Sequence, residues 1–269
     1  MAISDEIRQF CHKNGLKLNT DIGQHFLIDE GVLSSILEAA DVRPDDMILE
    51  IGPGIGVLTR ELLRRTPHVT AIELDERLVP LLLAFIRTGG ERLPEPTIIR
   101  QNALEVPFPG EPYKIVANIP YHITSPLLRH AFLEGARAPV SLTLLIQREV
   151  AEKICDEVDR GLLTIVVALF GTPRIVRHVP AEAFLPPPKV ESSVLHIDCF
   201  PEPRTDVATI ERVLKLAKIG FSQKRKMLRN SIAQLQDGQA WLTKTGIDPT
   251  RRPQTLSIDE WIALARASV

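Results

Sequence analysis

Along the first two hundred residues, short apolar runs of β-forming character alternate with stretches whose hydrophobic positions recur at helical spacing. The runs are "MILEI" (47–51), "HVTAIEL" (68–74), "TIIRQ" (97–101), "YKIVAN" (113–118) and "SLTLLIQ" (141–147). Strand, helix, strand at this interval predicts a parallel, doubly wound α/β sheet. Two later runs, "PRIVRHVP" (173–180) and "SSVLHIDCF" (192–200), flank the proline-rich "AEAFLPPPKVE" (181–191). A link that short suits an antiparallel pair, so the last strand is expected to run against the others. "FPEPRTD" (200–206) reads as a linker. Beyond it the patterns are helical: "ATIERVLKLAKIGF" (208–221), "KRKMLRNSIAQL" (224–235) and "SIDEWIALARA" (257–267), the last with Ser257 as its cap and acids in its first turn. Two units are expected, a sheet domain over 1–200 and a helical domain over 201–269.

With 269 residues, 44% of them hydrophobic and 25% charged, the chain can bury one large core and a small second one. Its longest apolar runs, "LVPLLLAFI" and "LLTIVVALF", fall well short of the ~20 residues a membrane-spanning helix needs. The N-terminal "MAISDEIRQFCHKNG" is charged where a secretory signal would be apolar, so a cytoplasmic, membrane-free protein is expected. Cys11, Cys155 and Cys199 are too few and too scattered for a disulfide framework and read as reduced packing residues. The net charge of −2 conceals an asymmetry: residues 211–230 hold seven Lys/Arg against one Glu, a local +6 that leaves −8 for the remainder. Such focusing suits a polyanion docking on one face, although a solvated helical face would look the same.

Chemistry begins at "ILEIGPGIGVLTREL" (48–62), where Gly52, Gly54 and Gly56 stand between a strand and a helix. Glycines there let backbone approach a ligand. The dinucleotide fingerprint would need glycine at position 57, which is Val57, so hydride transfer is disfavoured. Glu73, directly after the second strand, can accept both hydroxyls of a ribose. In a parallel sheet, ligands sit outside the carboxyl ends of the strands, and the Gly52 loop, Glu73, Asn102 and Asn118 all fall on that edge. The loop carrying Phe184 is expected to overhang the same crevice. A strand-helix turn without ligand, a surface acid and a hydrophobic loop anchor are the plain alternatives for these features one by one.

"KIVANIPYHITSPLL" (114–128) ends a strand on a bare amide. If the ligand is S-adenosylmethionine, methyl transfer is an in-line displacement and the difficulty lies with the nucleophile. An adenine amino group is poor because its lone pair is delocalised into the ring. Acceptors from the Asn118 side chain and a backbone carbonyl at Ile119 or Pro120 can orient it, without metal or strong base, so that positioning and electrostatics carry most of the rate. Pro120 stiffens the turn, Tyr121 offers a flat surface to an unstacked base, and Phe184 could close the other face. His25, His122 and His130 form no ligand pattern, so no metal is expected.

Taken together, "GQHFLID" (23–29), "ILEIGPGIGVLT" (48–59), "AIELD" (71–75), "QNAL" (101–104), "VANIPYHITSPLL" (116–128), "LLIQREVAEKI" (144–154), "FLPPPKVESSV" (184–194) and "FSQKRKMLRNSI" (221–232) resemble the KsgA-type rRNA adenine N(6),N(6)-dimethyltransferases, with the macrolide-resistance rRNA methyltransferases as close relatives. The match spans nearly the whole chain. The resemblance implies a Rossmann-like class I methyltransferase fold with a small all-α C-terminal domain, and S-adenosylmethionine held by His25, Leu27, Gly52, Gly54, Glu73, Asn102 and Asn118. It implies a target adenine held by Asn118, Ile119 and Pro120 and stacked by Tyr121 and Phe184. Lys224, Arg225, Lys226 and Arg229 would grip rRNA phosphates. The implied enzyme is a monomer that dimethylates two adjacent adenines in the 3′-terminal hairpin of small-subunit rRNA, on an immature subunit. A large-subunit rRNA methyltransferase and a non-catalytic assembly factor are the alternatives. The chain departs from the family with His25 where Asn is common, Asn102 where Asp is common, and a weakly basic "KLNTDI" (17–22).

Overall fold

The computed structural model describes residues 2–16, 24–222 and 225–268. The strands are β1 (Phe26–Leu27), β2 (Met47–Ile51), β3 (Val69–Ile72), β4 (Thr97–Ile99), β5 (Tyr113–Asn118), β6 (Ser141–Gln147), β7 (Gly171–Val179), β8 (Phe184–Leu185) and β9 (Ser192–Cys199). The α-helices are α1 (Ile3–Lys13), α2 (Glu30–Ala40), α3 (Val57–Leu63), α4 (Leu78–Ile86), α5 (Thr124–Arg129), α6 (Arg148–Cys155), α7 (Leu162–Phe170), α8 (Val207–Ser222), α9 (Gly238–Thr245) and α10 (Ile258–Ala267).

Seven strands make one sheet in the order β4-β3-β2-β5-β6-β9-β7. The β4–β3, β3–β2, β2–β5 and β5–β6 pairs are parallel, and β9 runs antiparallel to β6, as the short proline-rich link implies. A parallel sheet is covered on both faces, which is why β6 reads as an almost unbroken apolar run and is buried over its first six residues. The strand order reverses between β2 and β5, so the loops leaving those two strands diverge and open a crevice at the sheet's carboxyl edge. A separate two-stranded antiparallel pair, β1 with β8, sets Leu27 opposite Phe184.

The chain divides into two compact units, Met1–Ala151 with Arg174–Cys199, and Glu152–Pro173 with Phe200–Val269. The expected division at residue 200 therefore misses residues 152–173. The reason is α7, which is apolar along its length, contacts α8 and α10, and has the Leu169 and Phe170 carbonyls accepting from Arg204 N at 2.9 Å and Phe200 N at 2.8 Å. Within this helical unit Trp261 is fully buried, and a Cβ on Gly220 would stand 3.2 Å from its ring, so α8 and α10 pack closely there. Ser257 caps α10 as expected, its Oγ accepting from Glu260 N at 3.1 Å while the Glu260 carboxylate accepts from Ser257 N at 2.7 Å. The expected helix over 224–235 is not continuous; 228–230 and 232–234 are short 3-10 turns. Leu228 N and Arg229 N donate instead to the carbonyls of Arg251 and Pro249, both at 2.8 Å, which takes them out of any helical ladder.

In the sheet unit, α1 is tied down by a buried ion pair. Arg60 of α3, 5% exposed, donates to both oxygens of Glu6 at 2.6 and 2.8 Å and lies 4.5 Å over the Phe85 ring. The Arg60 bond holds the Glu6 carboxyl below its ordinary value. The pair's contribution is therefore fully present above the ordinary carboxylate value and is lost as pH falls through the depressed one. Glu6→Ala would take both short bonds from a buried cation, leaving Arg60, among the described residues, only the Glu61 carboxylate at 3.9 Å and the Thr88 hydroxyl at 3.3 Å, and is expected to cost about 3 kcal/mol in urea denaturation at neutral pH. A loss below ~1 kcal/mol would instead class the interaction with exposed surface bridges.

Candidate active site

A cavity of about 630 Å³ opens where β2, β3, β4 and β5 end, within the size range of small-molecule sites. Its floor is the glycine loop. Gly52, Gly54 and Gly56 have φ of 65°, 60° and 93°, a region that side-chain-bearing residues avoid. Gly54 is also crowded, because a Cβ there would stand 2.9 Å from the Phe26 ring on β1. The turn closes with Gly56 N donating to Pro53 O at 2.9 Å.

Glu73 is 6% exposed and both of its oxygens are engaged, Oε2 accepting from Gly54 N at 3.1 Å and Oε1 from Asp75 N at 2.8 Å. Burial raises its carboxyl above the ordinary value, while those backbone donors pull the other way. Asp75 accepts from Gln24 Nε2 at 2.9 Å and from the Arg77 guanidinium at 2.7 and 2.8 Å. The Arg77 bond holds its carboxyl at about 2. Asn102 makes its own turn, with Oδ1 accepting from Leu104 N at 3.1 Å and Nδ2 donating to Glu105 at 2.9 Å, so one lone pair of Oδ1 remains for a ligand.

Asn118, the last residue of β5, is half-buried on the cavity wall, and its Nδ2 donates to the His25 carbonyl at 3.1 Å. A carbonyl only accepts, so the amide is fixed with its NH₂ toward His25 and its Oδ1 available as an acceptor. Pro120 lines the same wall; its carbonyl accepts from Ile123 N at 3.1 Å, closing the turn after the strand. Tyr121 is half-buried, its hydroxyl 2.7 Å from Ser192 Oγ. Its ring lies nearly parallel to that of His25, with 14° between planes and 6.3 Å between centroids. His25 Nδ1 donates to Pro186 O at 2.7 Å, which places the proton on that nitrogen because the carbonyl cannot donate.

The cavity thus gathers His25, Leu27, Gly52, Gly54, Glu73, Asn102, Asn118 and Pro120 on one wall system. Ile119 is 2% exposed and belongs to the core, so only its backbone can serve a ligand. Phe184 departs from expectation. It is 2% exposed and packed in the hydrophobic core opposite Leu27, so its ring is a core anchor rather than an open stacking face, and neither it nor Tyr121 is among the residues lining the cavity. Arg225, Lys226 and Arg229 are exposed on the helical unit, while Lys224 and residues 17–23 lie outside the described residues. Sequence reasoning missed Gln24, Asp75 and above all Glu50. Glu50 sits in the middle of β2 opposite Ala71, 1% exposed, lining the cavity, with no hydrogen-bond partner for its Oε2 among the described residues. Burial pushes its carboxyl up to about 8; the charge on Glu73 adds to the rise and the Thr59 hydroxyl opposes it.

Among solved structures, the 23S rRNA methyltransferase ErmE matches with a TM-score of 0.73 at 28% identity, over 90% of this chain and 98% of that one. A dimethyladenosine transferase from Plasmodium falciparum matches at 0.75 and 26% identity, over 89% of this chain and 96% of its own. With the strand order and the glycine loop, these likenesses define a class I S-adenosylmethionine-dependent methyltransferase. A sequence model described as ribosomal RNA adenine dimethylase matches residues 15–268, and the chain belongs to that family. Its relatives include the ribosomal RNA small subunit methyltransferase A of Dehalococcoides mccartyi (strain CBDB1), 43% identical over 91% of this chain and 87% of that protein. That of Clostridium botulinum (strain Langeland) is 37% identical, over 94% and 95%. The cavity fits the cofactor of this class: left-handed glycines leave room for a close ligand, and a deeply buried acid, Glu50, belongs to the lining of the space a cationic ligand would fill.

Two outcomes follow from this geometry. Gly54→Ala, placing a methyl against Phe26 at positive φ, is expected to lower the melting temperature and weaken S-adenosylmethionine at least ~10-fold by calorimetry, the ~1.4 kcal/mol that one such clash readily exceeds; unchanged affinity would remove the loop from the binding site. Glu50 holds a proton in the folded state that it loses when unfolded. Its contribution to stability is thus intact below the ordinary carboxyl value near 4.5 and declines as pH rises toward about 8. Glu50→Gln should flatten that decline in melting temperature measured from pH 5 to 8.

Proposed function

We propose that this protein dimethylates the exocyclic amino groups of two adjacent adenines in the 3′-terminal hairpin loop of small-subunit rRNA, acting as a cytoplasmic monomer on an immature small subunit. The observation that carries the reading is the fixed amide of Asn118. Its NH₂ is held by the His25 carbonyl, so its Oδ1 is offered to a hydrogen-bond donor at the cavity that also holds the glycine loop and Glu73. An adenine amino group is such a donor. S-adenosylmethionine, when bound, supplies an electrophilic methyl.

The protein's own groups then do the rest. Glu73, with two of roughly four lone-pair directions spent on Gly54 N and Asp75 N, keeps acceptor capacity for ribose hydroxyls. Asn102 offers its remaining lone pair to the adenine of the cofactor. Asn118 Oδ1 and the Ile119 carbonyl accept from the two amino hydrogens of the target base, which draws its lone pair out of conjugation and aims it. Tyr121 supplies the flat face, worth about 1–3 kcal/mol for a stacked base, and its hydroxyl bond to Ser192 keeps the ring from turning. No strong base is needed, because a methylated aryl ammonium is acidic enough to give its proton to water. In the helical unit, Arg225, Lys226 and Arg229 are exposed and suited to phosphates. A large-subunit target has the weaker support: the 23S enzyme is 28% identical, against 43% for a small-subunit relative.

Asn118→Ala should abolish methyl transfer, read as loss of labelled methyl on unmodified small subunits, while leaving subunit binding within about 3-fold; retained turnover would end the assignment of Asn118. Mass mapping of the modified nucleotides should find two dimethylated adenines in the small-subunit 3′ hairpin, and methyls on large-subunit rRNA would redirect the reading. Replacing Arg225 and Arg229 with Ala should lower rRNA affinity and reduce the slope of log K against log salt by ~0.7–0.9 for each phosphate that is no longer neutralised. An unaltered slope would leave these residues as a solvated face.

A further inference from the structure

The cavity wall contains one group that the proposed reaction does not use. Glu50 lies on β2, two residues before the glycine loop, in the part of the strand where both faces of the sheet are covered. Acids are almost never fully buried unless paired, yet among the described residues Glu50 Oε2 has no well-formed hydrogen bond, the Thr59 hydroxyl beside it being close enough only to oppose the rise of its carboxyl without cancelling it. An unpaired charge so deep is costly, and such a group stays neutral unless something compensates it. The titratable groups that share the cavity wall with it are His25, Glu73, Asp75, Arg77 and His122. Arg77 is committed to Asp75 through two hydrogen bonds, and Glu73 is an acid whose charge opposes ionisation of Glu50. Among the described residues no cationic side chain acts on Glu50, so the charge that would let it ionise is one a ligand can bring.

We propose that Glu50 is a proton-linked acid of the cofactor cavity: neutral in the free protein, it releases its proton to solvent when a cation seats in the cavity, so that the wall becomes charged only when the ligand is. This rests on reading the cavity as the S-adenosylmethionine site. That cofactor carries two positive centres, a sulfonium and an ammonium, against one carboxylate. Methyl transfer removes the sulfonium charge and leaves the thioether product, S-adenosylhomocysteine, neutral overall. If the sulfonium is the compensating charge, Glu50 takes a proton back after transfer. The reprotonated wall then carries no charge to favour the spent ligand, and a site that prefers the charged cofactor exchanges it readily. The elevated carboxyl, about 8, puts this exchange in the neutral range, where the group is still mostly protonated before binding.

The test is titration calorimetry of the whole chain with S-adenosylmethionine and separately with S-adenosylhomocysteine, in paired buffers of different ionisation enthalpy from pH 6 to 9. Close to one proton is expected to be released per S-adenosylmethionine bound near pH 7, falling away above pH 8.5, with affinity rising as pH rises between 6 and 8. Glu50→Gln should abolish the release, flatten the pH dependence and weaken S-adenosylmethionine more than 10-fold. Release with S-adenosylmethionine alone assigns the sulfonium as the partner of Glu50; release with both ligands assigns the ammonium and keeps the acid. A purely structural Glu50 would move no proton, and binding without release, or release that survives in Glu50→Gln, overturns the proposal. Should the variant not fold, the wild-type proton count across the same pH range decides alone. Glu73→Gln separates this from failure of the site itself. Affinity for S-adenosylmethionine untouched by that change removes the cavity as the cofactor site and the proposal with it, whereas binding that depends on Glu73 yet releases no proton removes only the proposal.

Discussion

The carboxyl edge of the sheet depends on one hydrogen bond, from Gly54 N to Glu73 Oε2 at 3.1 Å. The loop after β2 passes through three left-handed glycines; Gly52 N still donates to Ile72 O of β3 and Gly56 N to Pro53 O, both at 2.9 Å, while Gly54 N between them has no backbone partner among the described residues. A buried N–H without a partner costs roughly what a lost hydrogen bond costs. Glu73 provides the partner from the end of the neighbouring strand, so it locks the ends of β2 and β3 together and holds the loop open toward the cavity. Its structural role leaves room for the proposed binding one, because a carboxylate has more acceptor directions than two backbone bonds consume.

The same edge shifts three acids to different degrees through environment alone. Asp75, reached by the Arg77 guanidinium and by Gln24, is ionised throughout the physiological range. Glu73 is buried but held by backbone donors. Glu50 is buried and unrelieved, and its carboxyl stands near 8. Groups of one kind pushed apart by their surroundings are how a fold assigns distinct tasks to similar side chains. Here the spread means that an incoming cation meets a wall whose charge it can itself complete.

Much of this was legible beforehand, for identifiable reasons. The apolar runs located every strand of the main sheet, because strands of a doubly covered sheet carry continuous hydrophobicity; the glycines after "MILEI" and the amide ending "YKIVAN" marked the edge where ligands bind. Glu50 escaped notice for the same reason the strands were visible: in a run buried on both faces there is no alternation to say that one acid points inward. The signal was present as a carboxylate inside an otherwise apolar strand. Phe184 misled in the opposite way, since a loop position suggested exposure while its pairing with Leu27 through β1 and β8 placed the ring in the core. The division near residue 200 falls where the last segment changes unit but misses residues 152–173, because α7 comes before the last strands of the sheet in sequence yet packs with the helices that follow them. The broken helix at 228–234 reflects tertiary carbonyls at Pro249 and Arg251 outcompeting a local ladder, which no periodicity could disclose.

With Phe184 in the core, the ring set nearly parallel to Tyr121 is that of His25. The two rings are within 14° of parallel, and each is pinned at its rim, His25 to the Pro186 carbonyl and Tyr121 to Ser192. The His25 backbone carbonyl meanwhile fixes the Asn118 amide. One residue therefore bears on both the orientation of the acceptor and the setting of the aromatic surface beside it. On the proposed reading of Asn118, such coupling is what would let an uncharged amide suffice. Orientation of a weak nucleophile contributes to rate only when the orienting group cannot itself turn, and here the group opposing rotation of Asn118 is backbone rather than another mobile side chain.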